Sequence, residues 1–599
     1  MSESVDTAKK VVNLNRIALC FSGGGFRAAA YALGVLSFLN KLTSGKGTLL
    51  DRVVFIASAS GGTITNAYYS LCRVQGKTFD TFYNELLSAL QGQKMMLATL
   101  ETLSDAEQWN SSDSKNRNLV NAFSKMIDQQ LFKGATFGQI ENNLGSDFSV
   151  CFNTAELYRG LTFRFQVDNA ADTREMVGNS RIFLNRKQKH YQKIKLADIT
   201  TASSAFPAGF EPIMFPNDFT YTHSLANQQL TLAELKDSVT INPYGGKRSL
   251  FNKPFGLMDG GIRDNQALYS TMEAHKRKAG NFDLIAVNDV ASYFVDPYVE
   301  PALINKPKLK WLDRSLEDEL VKIQTFYNRV GKGLTIGLIG SVIILIASLL
   351  LIALTANVTL KFIGVGLGGV GFTVAAACGI FGYLKKTKID KFIPEGEPLT
   401  VLKQYASQAS FAKNFSPEVI NLIVTYFAKL KIKSLFKMLV AREKSVAMIA
   451  LDINLKNSRD LTYNLFHQSK RYTDKRLSNL VYELSEYNKD AREFRVTKRL
   501  SFLTQADRDL LLLDTEKVRV PAELARTMGT TLWFDNSHTA RLKELVACGQ
   551  FTMCANLLEH LMILKAKKLI DPADAELAVL RNQLETHWVA FKNDPYHMV

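Results

Sequence analysis

Three short runs of small residues carry the side chains that could do chemistry. The first is Ser22-Gly23-Gly24-Gly25-Phe26-Arg27, where three consecutive glycines precede a helical pattern. Glycines let the backbone turn sharply and leave its N–H groups unobstructed. At a helix N-terminus those donors face the positive end of the helix dipole, which makes an anion site. Two chemistries use such a site: a phosphate cradle, or an oxyanion hole for a tetrahedral acyl intermediate. A Walker loop would need GxxxxGK[ST], and no Lys-Ser/Thr follows these glycines. Gly23 to Ala28 does fit the looser dinucleotide pattern GxGxxA. That reading also needs an acid closing the next strand, where VVFIA (53–57) runs into Ser58 instead.

The second run is Ser58-Ala59-Ser60-Gly61-Gly62, again between a strand pattern and a helix pattern. It resembles the GxSxG nucleophile elbow, with Ser58 in place of the first glycine. The elbow needs small neighbours because its serine backbone is strained and pressed against the adjacent strand and helix, and a serine meets that size limit. The third run is Asp259-Gly260-Gly261, at the end of another strand pattern. Asp before two glycines is also an ordinary turn. The force lies in the combination, with each run closing a predicted strand.

Those strands belong to a chain that alternates β-rich runs with helical patterns from residue 15 to 300, as an α/β sheet with crossover helices does. RIALCF (16–21) enters the glycine turn, VVFIA (53–57) enters the serine turn, residues 255–258 enter Asp259, and FDLIAVN (282–288) reads as a further strand. Residues 161–190 alternate like strands and read as a peripheral excursion. In a parallel α/β sheet the C-terminal strand ends share one edge, where ligands bind. The three runs are therefore expected to meet there.

GGGFRA, SxSGG about 35 residues later and a distant DGG together resemble the patatin-like phospholipase family. The resemblance covers roughly residues 14 to 295 and implies a three-layer α/β domain with a Ser–Asp dyad. It makes Ser60 the nucleophile, Asp259 its base, and Gly23, Gly24, Gly25 and Arg27 the oxyanion region. Residues 202–207 (ASSAFP) look like the small-residue block that such proteins carry before their aspartate. Ser58 is the one departure from the pattern. A triad would need a histidine after the acid. His275 follows most closely, sixteen residues on, but no histidine falls in a predicted strand-end turn, and His275 reads as a surface residue beside Lys276 and Arg277. A dyad, with Asp259 taking the serine proton directly, is the reading adopted. The resemblance implies hydrolysis of lipid acyl esters, phospholipid first, with no metal or organic cofactor. It also brings a toxin or antiviral-effector role into view, since bacterial members of the family often serve so.

The 599 residues suffice for two or three domains, and 46% hydrophobic with 22% charged residues excludes a disordered chain or a many-span transporter. Lys and Arg number 73 against 57 Asp and Glu, a formal charge of +16. That excess suits an anionic surface, and without a nucleic-acid motif the reading is membrane phospholipid, not nucleic acid. Six scattered cysteines form no CxxC or Cys/His cluster, which argues for a reducing, cytosol-facing location and against a metal site. No apolar h-region precedes the first strand, so a cleaved signal peptide is not expected.

Residues 334–357 and 362–384 are two uncharged stretches, each long enough as helix to cross a bilayer. Basic residues flank the pair on both outer sides, with only Lys361 between. This predicts a transmembrane hairpin with both soluble regions cytoplasmic, at the inner membrane if the source is bacterial. The competing reading is a helix pair inside a large soluble core. Gly366 to Gly371 match GxGxxG without strand or acid partner, and Gly364 with Gly368 suggest close helix packing and a homo-oligomer through the hairpin. The expected domains are a catalytic domain over 1–300, a juxtamembrane linker over 301–333, the hairpin over 334–384, and a mostly helical region over 385–599. Within the last, residues 445–455 could be a strand, and residues 426–444 form a basic amphipathic helix suited either to solvent or to anionic headgroups. The alternative function is a non-catalytic membrane-perturbing or signalling protein whose hairpin oligomerises.

Overall fold

The computed structural model describes residues 12–325 and 399–599 apart from internal segments, the longest being 168–176, 222–228, 291–298 and 407–415. The apolar runs 17–21, 53–59 and 284–289 become strands buried almost throughout, as parallel strands between helical layers must be. The strands that concern the site are β1 (Ile17–Phe21), β2 (Val53–Ala59), β3 (Ser149–Glu156), β4 (Leu161–Val167), β5 (Phe255–Asp259), β6 (Leu284–Asp289) and β7 (Arg476–Leu480). Strands β3-β2-β1-β6-β7 run parallel in that order, and antiparallel strands continue from β3 through β4 to the edge. The helices that position the site are α1 (Phe26–Lys41), α2 (Gly61–Val74), α3 (Leu196–Ser204) and α4 (Leu268–Lys276). Later in the chain come α5 (Pro417–Ala428), α6 (Ile432–Met448), α7 (Asn454–Gln468), α8 (Thr539–Ala566) and α9 (Ala575–Asn593).

The chain divides into two compact units, Met1–Val295 with Ala450–Val599, and Asp296–Ile449. The first contains the whole sheet. The C-terminal region is mostly helical, but RLSNL (476–480) is the strand β7 and pairs in parallel with β6 from Ile285↔Arg476 to Asp289↔Leu480. A core chain of amides fastens it: Asn479 donates to Asn288 Oδ1 at 2.9 Å, and Asn556 donates to Asn479 Oδ1 at 3.1 Å. Helix α8 lies directly on α1. A Cβ on Gly34 would collide with the Val546 carbonyl and one on Gly549 with the Tyr31 carbonyl, so the two backbones touch where each helix has a glycine. Residues 445–448, read as a strand candidate, are the end of α6.

The expected transmembrane hairpin is not supported. Among the described residues no helix is long and apolar enough to cross a membrane, and residues 334–384 lie outside the described residues. The longest described helix, α8, would reach about 42 Å, but its 28 residues include Arg541, Lys543, Glu544, Glu559 and Lys565, and its apolar side chains are buried in the protein core. The multi-pass localisation, and the cytoplasmic placement of the catalytic domain that followed from it, lose their basis with the hairpin.

Candidate active site

Helix α2 follows β2 with a single residue between, and that residue is Ser60. Its backbone sits at φ 51°, ψ −129°, a region that a side chain makes costly. What holds it there is crowding on both sides. A Cβ on Gly61 would collide with the Gly25 carbonyl, and one on Gly62 would stand 2.7 Å from the Ser22 carbonyl oxygen. The elbow is thus pressed against the glycine loop, and only glycine fits at either position. Ser58 is fully buried, its hydroxyl accepting Asn66 Nδ2 at 3.0 Å and lying 3.0 Å from the Thr63 hydroxyl. The first turn of α2 thus offers a polar pocket where the elbow pattern has glycine, which is why the serine is tolerated.

Asp259 reaches Ser60 by a route that the sequence did not disclose. Strand β5 does not run parallel to β2. It pairs antiparallel with β3, Asp259 opposite Thr154, while β2 pairs parallel with β3, Ala59 opposite Asn153. Two strands running toward each other along one flank of β3 therefore end head-on at neighbouring positions. Residues 203–205, at the end of α3, tie the two ends together. Ser203 Oγ accepts the Ser60 N–H at 3.0 Å and donates to the Asn153 carbonyl at 2.6 Å. The Asp259 and Gly260 N–H groups donate to the carbonyls of Ala205 and Ser203.

Ser60 and Asp259 are 5% and 6% exposed. Asp259 Oδ1 accepts the Gly261 N–H at 2.7 Å, and the neighbouring Ser60 hydroxyl also lowers the carboxyl's pKa. Burial pushes the Asp259 pKa from 3.8 up to about 6, against the pull of those two donors. The carboxyl is held near neutrality, ionised above that value and beside a hydroxyl it can deprotonate.

The glycine loop passes Ser60 closely, since a Cβ on Gly23 would stand 3.1 Å from Ser60 Cβ. Not all of its donors face outward. The Gly23 N–H donates to the Asn265 carbonyl at 2.8 Å, and the Phe26 N–H donates to the Thr531 carbonyl at 2.7 Å. Gly24 (φ 142°) and Gly25 (φ 64°) keep N–H groups with no acceptor among the described residues. Arg27 is buried and donates through Nη1 to the Met528 carbonyl. Burial pushes its pKa down to about 10, Asp289 opposing and Arg459 adding to the effect. Its Nε has no hydrogen-bond partner among the described residues and would lie 3.7 Å from a Cβ on Gly24.

Several positioning groups escaped the sequence reading. Asn265, six residues after Asp259, holds Gly23 through its carbonyl, and its side-chain oxygen lies 2.6 Å from where a Gly261 Cβ would stand. Asp264 fixes that turn, accepting Asn153 Nδ2 at 3.1 Å and the N–H groups of Tyr269 and Ser270 at 3.0 and 2.9 Å. Met528 and Thr531 come from the C-terminal region, and nothing in their types or spacing marks them. Asp289, closing β6, pairs with Arg459 of α7 at 3.0 Å, both fully buried. His275 is a packing residue, not the surface residue expected. Its ring packs against Phe282 and Tyr472, and Nδ1 accepts the Phe282 N–H at 3.2 Å. Among the described residues no group of three or more His, Cys, Asp or Glu is placed to hold a metal ion.

Residues 19–271 match the sequence profile of the patatin-like phospholipase family, and the chain carries a patatin-like domain, of a lipid-hydrolase family, over that span. Solved structures similar to the chain include the human GIVD cytosolic phospholipase A2, at 14% identity and a TM-score of 0.28. That match covers 46% of this chain and 42% of the other, so the chain spans under half the length of this neighbour. A search of the curated proteins returns no match.

Proposed function

Taking the patatin-like domain as premise, we propose that this protein is a serine acyl hydrolase that releases fatty acid from lipid esters through Ser60 and Asp259. Asp259 accepts the Ser60 proton as Oγ attacks the ester carbonyl. The carbonyl oxygen becomes an oxyanion, received by the Gly24 and Gly25 N–H groups, and Arg27 adds positive charge behind the loop. When the tetrahedral intermediate collapses, the alcohol leaves with the proton held by Asp259, and the acyl group remains on Ser60. Water, deprotonated in turn by Asp259, attacks the acyl-enzyme and the fatty acid departs. No histidine is needed in this reading, because the Asp259 carboxyl sits at a pKa of about 6 next to Ser60. Phospholipid is the preferred ester, on the family description and on the +16 charge, which suits an anionic lipid surface.

The observation that carries this reading is Ser60, held at a strained elbow with its own N–H and the Gly260 N–H both bound to Ser203, beside the buried Asp259 carboxyl whose pKa burial raises to about 6. The test is fatty-acid release from phospholipid by wild type and Ser60→Ala, with a fluorophosphonate probe on both. Wild type should hydrolyse and be labelled at Ser60, and the variant should do neither while melting normally. Undiminished release by Ser60→Ala would place the nucleophile elsewhere.

A further inference from the structure

Helix α5 is amphipathic in an unusual sense. Successive helical residues turn by about 100°, so Val419, Leu422, Ile423 and Tyr426 share an arc about 100° wide, and Leu430 follows just past the helix end. All five are exposed, Leu422 at 58% and Tyr426 at 66%. This is not the face the helix uses for packing. Ile420 and Val424 lie on the adjoining arc, packed against Leu399 and Ala406. The polar strip of Glu418, Asn421, Thr425 and Lys429 is confined to what remains. A helix whose only task was to cover its own unit would turn that strip outward. In α6, Leu439 and Val446 of the same unit are also exposed, at 62% and 64%.

Charge says what covers this face. Residues 416–449 carry six Lys or Arg against Glu418 and Glu443. Lys433 and Lys437 are engaged by Asp313 and Glu300, but Lys429 and Lys431 stand exposed at the end of α5 beside Leu430. A second copy of the chain would bring like charges together. The uncharged stretches 334–357 and 362–384 would leave the lysines unused. We propose that the Val419–Tyr426 face of α5 docks on an anionic lipid surface. The apolar arc enters the headgroup region, Tyr426 sits at the water boundary, and Lys429 and Lys431 contact phosphate. The helix lies on the surface and does not cross it. The docking goes beyond the hydrolase reading and does not depend on the chemistry at Ser60.

The test uses the full-length chain and sedimentation with phosphatidylcholine vesicles, with and without phosphatidylglycerol. Ser60→Ala is run in parallel, so that loss of binding and loss of hydrolysis are read separately. Wild type and Ser60→Ala should bind the anionic vesicles alike and the neutral ones weakly. Leu422→Asp with Tyr426→Asp should lose about tenfold or more in binding, while hydrolysis of dispersed short-chain ester and the melting temperature stay unchanged. Lys429→Glu with Lys431→Glu should weaken binding severalfold at low salt, with the difference shrinking at high salt. The proposal is overturned by unchanged binding in the aspartate variant, by equal binding to neutral vesicles, or by a wild-type dimer that the aspartates dissolve. A lowered melting temperature in the aspartate variant, which would mean that the chain itself covers the face, overturns it too.

Discussion

Asp259 carries its charge where water scarcely reaches, and this has two measurable consequences. In the role of base proposed for it, Asp259 must be ionised, so kcat/KM should fall below pH about 6 and level off above. A profile flat down to pH 4.5 would remove it from that role. The second consequence is for stability. A carboxyl whose pKa is raised on folding favours the folded state while protonated, fully so below 3.8, and that contribution is lost as pH rises through about 6. A rise of this size amounts to about 3 kcal/mol. Asp259→Asn, which keeps an acceptor for the Gly261 N–H, should be inactive yet up to about 3 kcal/mol more stable than wild type at pH 8. Denaturant melts should show that difference vanishing near pH 4. Ser203 acts on the same pair indirectly, through the Ser60 N–H and the Asn153 carbonyl. Ser203→Ala should lower kcat about tenfold or more with KM little changed and slow fluorophosphonate labelling, while the acid limb of the pH profile stays in place. A shifted limb would mean that Ser203 tunes Asp259 and does not merely place Ser60.

At the scale of elements, the strand–turn–helix joints at Gly23 and Ser60 were legible because their glycines and apolar runs are local signals. The direction of β5 was not, since residues 255–258 look alike in a parallel or antiparallel strand. Only the pairing with Glu156, Ala155 and Thr154 decides it. Strand β7 was missed for another reason. RLSNL is half polar and sits among Lys- and Arg-rich helical patterns, and its asparagine is wanted by an amide chain contributed by residues 288 and 556. At residues 445–455, read as a possible strand, Val446 and its apolar neighbours imitated one, but 445–448 end α6 and Asn454 opens α7. The amide chain is testable. Asn479→Leu leaves Asn288 Oδ1 unpaired in the core, at about 1–3 kcal/mol, and takes from Asn556 Nδ2 one of its two acceptors, the other being the Ser478 carbonyl. A loss of about 3 kcal/mol in chemical denaturation is expected, and a loss below 1 kcal/mol would mean that β7 is held by its backbone alone.

At the scale of the whole molecule, the first unit contains its own complete sheet and core while unit 296–449 is inserted in its sequence. Replacing 296–449 by a flexible linker should leave hydrolysis of dispersed ester intact. Residues 1–300 alone should be insoluble or inactive, since they lack β7, α8 and Thr531. Soluble, active 1–300 would show that the C-terminal region only decorates the domain. The Thr531 carbonyl on the Phe26 N–H carries one more implication, for biosynthesis. A ribosome finishes Ser60 and Asp259 early, but the segment that closes on the glycine loop is made some 270 residues later, on the order of tens of seconds at ordinary elongation rates. Through that interval the nascent chain carries Ser60 and Asp259 without the Thr531 carbonyl on its glycine loop, so this contact forms only after the segment around 531 has left the ribosome.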